Sequence, residues 1–111
     1  LRDGKLIVTG RLGDAVEPAE GAEAAKVAAL NALAAVADQA GGLDNVARIL
    51  KAVVFVASTT DFTAQPQVAN GASEMLGEVF GTPHVRSAVG VAVLPIDAPV
   101  EVELVAELAA R

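Results

Sequence analysis

The chain has 111 residues, the length of one domain, and no cysteine, so disulfides and thiol chemistry are excluded. Lys and Arg total 8 against 14 Asp and Glu, a net charge of −6, and the basic residues are scattered singly. Phosphate-rich partners need clustered basic residues, so nucleic acid is not an expected partner. No apolar run nears the roughly 20 residues that span a bilayer, and no basic segment precedes an apolar one as in a secretory signal. The expectation is a cytoplasmic protein without membrane contact. Its core must come from Val, Leu, Ile and Ala, because Phe55, Phe62 and Phe80 are the only aromatic residues. A small chain of small side chains buries little area alone, which favours an oligomer.

In chain order, residues 3–13 carry Leu6-Ile7-Val8 between Gly4 and Gly10. A short strand and an ordered loop fit this segment equally well. A helix is predicted from Pro18 to Ala40. Pro18 suits the first helical position, Glu17, Glu20 and Glu23 favour the positive end of the dipole, and Gly41-Gly42 stops the helix. Ala22, Ala25, Ala29, Leu33 and Val36 form one apolar stripe at helical spacing. Residues 46–58, rich in β-branched side chains around Phe55, read as a central strand. A second helix is predicted from about Pro66 to near Gly81, with Val68, Ala72, Met75, Leu76 and Val79 inward despite Gly71 and Gly77. Two strands follow, at about 86–94 and 100–108. This order predicts an α+β domain, a mixed sheet with both helices on one face.

The segment from Pro83 to Glu103 stands apart. Arg86 opens one apolar strand and Glu101 begins the next, with Pro95-Ile96-Asp97-Ala98-Pro99 between them. A charge left unpaired near an apolar run is costly, so a partner for Arg86 is expected. A guanidinium presents a planar fork that pairs bidentately with a carboxylate and stays charged at any relevant pH. Taken alone, Arg86 reads better as a strand-end arginine in a surface salt bridge of little worth. Glu101 shares its side of the strand with Glu103 and Glu107, so a solvated acidic edge explains all three. His84, the only histidine, has no Asp or Ser at a meaningful spacing and no cysteine near it, and reads as a loop histidine rather than part of a triad or a zinc site. No Gly-rich loop joins a strand to a helix, so no cofactor is expected.

The run Arg86-Ser87-Ala88-Val89-Gly90-Val91-Ala92, then Leu94-Pro95, then Val100-Glu101-Val102-Glu103, resembles the C-terminal signature of the RidA (YjgF/YER057c/UK114, endoribonuclease L-PSP-like) family. Gly42-Leu43-Asp44-Asn45-Val46, Lys51 to Val56, Asp61-Phe62 and Val68-Ala69-Asn70 extend the resemblance over about residues 16–109. The wording Asn70-Gly71-Ala72-Ser73 and Ala98 to Glu103 is closer to a less characterised branch than to the typical deaminases.

The resemblance implies a single domain over 1–111 with the chorismate-mutase-like fold, assembled as a homotrimer. It also implies a cofactor-free imine deaminase that hydrolyses reactive 2-imino acids, such as 2-iminopropanoate, to 2-keto acids and ammonia. Arg86 would hold the substrate carboxylate and Glu101 would orient the attacking water. Asn70, Phe80 and Ala88 would line the substrate pocket, with Ala88 where the family often has cysteine. The alternative is a binding module for small carboxylates such as 2-keto acids, without turnover. The chain begins at Leu1 and its only methionine is Met75. The gene product is therefore expected to start earlier, with the family's N-terminal β-hairpin in the missing part. If the last two strands form a hairpin about Asp97, Arg86 falls opposite Leu108, about 20 Å along the ladder from Glu101. The two side chains would then have to meet across a subunit boundary.

Overall fold

The computed structural model describes residues 5–109. Helix α1 (Pro18–Ala40) starts with Pro18 in its first turn, where the Glu17 N–H is satisfied by Glu20 Oε1 at 3.1 Å. It stops where Gly41 turns left-handed, φ 84°, and the N–H groups of Gly41 and Gly42 return to Asp38 and Ala37. The chain then enters β1 (Val46–Ala57), crosses in α2 (Gln65–Phe80) to β2 (Val85–Val91), and ends in β3 (Val100–Leu108). Both helices lie on one face of the sheet, as expected.

The strand order is β2-β1-β3, with β2 parallel and β3 antiparallel to the central β1. The last two strands are not neighbours, so the hairpin considered for them does not form. A helix separates β1 from β2, and such a crossover brings the second strand back parallel to the first. Strand β3 can then take only the other side of β1. The predicted 86–94 strand is also shorter, because β1 ends at Ala57, opposite Val91, and Ala92 onward has no partner in the ladder. The chain instead crosses the end of β1 through Ile96 and Asp97, whose φ values of 53° and 58° place two non-glycine residues in the left-handed region.

Residues 5–13 form no strand of the sheet. Leu12 and Val16 are fully buried and close the end of the sheet, where Leu12 N–H bonds Ala57 O at 2.8 Å and Thr59 N–H bonds Leu12 O at 3.0 Å. The core joins Ala25, Ala29 and Leu33 of α1 to Val68, Ala72 and Leu76 of α2 and to Ile49, Ala52, Val54 and Val56 of β1. Val36 and Val79, expected inside, are half-buried and exposed respectively. Alanine on α1 and glycine on α2 bring the helices close: a Cβ on Gly71 would collide with the Ala22 carbonyl oxygen. Gly71 is therefore required by packing, which its place in an apolar pattern did not show.

The side of the sheet away from the helices is uncovered among the described residues. By the period of two it carries Val53 and Phe55 of β1, Val85 and Val89 of β2, and Glu101, Glu103, Val105 and Glu107 of β3. Val85 is 65% exposed, Val105 48% and Val89 42%. A ladder of apolar side chains in water on all three strands is a surface that wants a partner.

Candidate functional site

Arg86 lies in register with Ala52, a fully buried residue, so its side chain leaves β2 on the helix face beside α2. There its Nη1 donates to Asn70 Oδ1 at 2.7 Å and to Ser73 Oγ at 3.3 Å. Asn70 and Ser73 are one turn apart on α2 and therefore share a face. The Ser73 hydroxyl in turn sits 3.2 Å from His84 Nε2. His84 precedes Arg86 by two residues and projects to the same side. An arginine can only donate, so Ser73 Oγ accepts from it and can pass its own proton to the imidazole.

These bonds use one nitrogen of the guanidinium. Among the described residues no carboxylate pairs with Arg86, which is exposed. The surface salt-bridge reading of Arg86 therefore finds no partner, and the arrangement is a fork braced from one side. Asn70, expected near the site, is the brace itself.

The other expected residues divide between the two faces of the sheet. Ala88, two positions beyond Arg86 on the same face, packs against the core, as does Phe80 at the end of α2. Glu101 is in register with Phe55, so it lies on the uncovered face of the sheet and is exposed. It also borders an open cleft of about 410 Å³ at the edge of β3, with Leu6, Ala28, Ile96 and Val100. Through β1, Arg86 is level with Leu104 and not Leu108. Two strand spacings and three residues of rise put Arg86 and Glu101 about 14 Å apart at Cα, on opposite faces. The separation within one chain stands, but its cause is the intervening strand and not a hairpin offset. Glu107 is committed to Arg48 at 3.3 Å, whereas Glu101 has no hydrogen-bond partner among the described residues.

Sequence reasoning set His84 aside, and Ser73 entered it only within a motif. The signal available was their spacing: three residues from Asn70 to Ser73 on a helix, two from His84 to Arg86 on extended chain. What joined the pairs, the packing of α2 alongside β2, is tertiary. Among the described residues no group of three His, Asp or Glu side chains could hold a metal ion, and no helix is long and apolar enough to cross a membrane.

Known proteins share this fold. TCP17 of Trypanosoma cruzi is 45% identical over 104 residues, which is 91% of this chain, and the chain spans 65% of that relative's length. The crystal structure of Atu1372 from Agrobacterium tumefaciens, a protein of unknown function, superposes with a TM-score of 0.92 at 41% identity, covering 97% of this chain and 70% of that one. E. coli TdcF with bound serine superposes less closely, with a TM-score of 0.56 at 28% identity over 89% of this chain and 71% of that one. The sequence model described as Endoribonuclease L-PSP matches residues 2–108. The chain belongs to that family, the one also called RidA or YjgF.

Proposed function

We propose that this protein is a small trimeric hydrolase of reactive 2-imino acids, releasing 2-keto acids and ammonia without a cofactor. The observation that carries the proposal is the Arg86 guanidinium, fixed by Asn70 and Ser73 through Nη1 and without a further partner among the described residues. A braced fork with free donors suits a carboxylate, which it meets bidentately at little further cost in side-chain order. Serine bound to TdcF is a small carboxylate of the same kind. The net charge of −6 and the separated basic residues speak against RNA as a substrate, despite the family's descriptive name.

Hydrolysis needs a water held at the imine carbon and a group to move protons as ammonia leaves. Glu101 is offered for this role from a neighbouring copy, since within one chain the sheet divides it from Arg86. The exposed Val85, Val89 and Val105 give that neighbour an apolar seat, and a ring of three copies pairs unlike surfaces in a closed assembly. Light scattering at micromolar concentration should therefore give the mass of a trimer. A monomer would leave Arg86 and Glu101 in separate places and end the shared-site mechanism.

The same separation gives weight to a second reading, in which the pocket holds a small carboxylate without turnover. Glu101→Gln divides the two. Glutamine keeps the size and hydrogen bonding but cannot accept a proton, so turnover should drop by about 10²-fold or more while 2-keto acid binding persists. The measurement is ammonia release from an imine generated in situ by an amino-acid oxidase. If the unaltered protein binds 2-keto acids yet never exceeds the buffer rate, the binding module is the function.

A further inference from the structure

Three of the four side chains at the Arg86 site do not bear the charge that would hold a carboxylate, and all three are polar. Asn70 Oδ1, Arg86 Nη1, Ser73 Oγ and His84 Nε2 form one continuous line of contacts at 2.7, 3.3 and 3.2 Å. The line is also graded in exposure: Arg86 and Asn70 stand in solvent, whereas Ser73 and His84 are half-buried. Phe80 and Ala88 are partly buried and pack against the core.

We propose that Ser73 and His84 form a second arm of the site, which reads the side chain of the substrate and selects 2-imino and 2-keto acids bearing a hydrogen-bonding oxygen over purely aliphatic ones. This rests on the reading of Arg86 as the carboxylate anchor and goes further by naming the substrate class. Arg86 Nη1 reaches His84 Nε2 through the Ser73 hydroxyl in two contacts of 3.3 and 3.2 Å, so the two nitrogens are no farther apart than a four- or five-carbon acid is long. A molecule anchored by its carboxylate on Arg86 can therefore lay its far end on Ser73 and His84. An aliphatic end there would strip water from a hydroxyl and an imidazole without replacing their hydrogen bonds, which is unfavourable for both. An oxygen replaces those bonds. The Ser73 hydroxyl can donate or accept, and imidazole can do either according to its tautomer, so the arm suits a hydroxyl as well as a carboxylate. Sites built to hydrogen-bond a substrate group discriminate against analogues that lack it far better than apolar pockets reject an added methylene.

Calorimetric titration of the full protein with 2-oxobutanoate, 3-hydroxypyruvate and 2-oxoglutarate tests the arm. The oxygen-bearing acids should bind at least about tenfold more tightly than 2-oxobutanoate. The order of 3-hydroxypyruvate and 2-oxoglutarate tells whether the arm prefers a hydroxyl or a carboxylate. Ser73→Ala and His84→Ala should each bring the preference to within about threefold, and Ser73→Thr, which keeps the hydroxyl, should retain it. Equal binding of all three acids by the unaltered protein overturns the arm and leaves the anchor standing. A preference that survives both alanine variants does the same. If none of the three binds, the anchor reading falls and the arm with it.

Discussion

Arg86→Ala should abolish measurable binding of 2-keto acids and any imine hydrolysis while leaving the fold intact. Two charge-assisted hydrogen bonds to a carboxylate are together worth about 3–6 kcal/mol, so affinity should fall by roughly 10²–10⁴-fold. The fold should tolerate the change because Arg86 is exposed and its two partners, Asn70 and Ser73, can both turn to water. Arg86→Lys should recover little: an ammonium offers a point charge where the site is braced for a planar fork. Isothermal titration and circular dichroism on the same preparations settle the matter. Binding unchanged in the alanine variant would remove Arg86 from the site, and loss of fold would make it a structural residue.

Gly71→Ala should be strongly destabilising. The new Cβ would meet the Ala22 carbonyl oxygen, its carbon and its Cα, all backbone atoms of α1 that no rotamer change can move. Relief requires α1 and α2 to separate, opening the packing of Val68, Ala72 and Leu76. The expected cost is about 3 kcal/mol or more, on the order of 10–20 °C in melting temperature for a chain of this size. Gly77→Ala is the control. It lies in the same helix, and a Cβ there meets nothing within 4 Å, so ordinary helix propensity should make it neutral or stabilising by about 0.5–1 kcal/mol. Equal melting temperatures for the two variants would show that the helices are not pressed together at Gly71.

Both expectations concern residues whose importance was unequally visible beforehand. Arg86 could be singled out because a charge among apolar residues is anomalous in one dimension, and its neighbours spell a family signature. The ends of α1 were legible for a similar reason, since Pro18 and Gly41 act through their own backbone and need no distant partner. Strand β3 was read over its full extent, as its apolar residues alternate regularly with Glu101, Glu103 and Glu107. Pairing was left open between a hairpin and separated strands, because adjacency in sequence does not fix adjacency in the sheet. The helix between β1 and β2 already implied a parallel pair, and that clue outweighs the short connection before β3. Gly71 and Gly77 looked alike in the sequence; only the approach of α1 distinguishes them. The Ser73–His84 contact was hidden for the same reason, because it joins two elements at a place no local pattern marks.

The central position of β1 bears on how the chain is made. It leaves the ribosome before either of its neighbours, and β2 reaches it only after α2 has been synthesised. Strand β3 comes last, so one edge of β1 remains an open template through most of synthesis. A run such as Val53-Val54-Phe55-Val56 with an unpaired edge is an invitation to aggregate. Arg48 and Lys51, both exposed on that strand, stand just ahead of the run. Placed there, two positive charges make a stray strand from another chain a poor fit until β3 arrives, and one of them then finds Glu107 waiting on it.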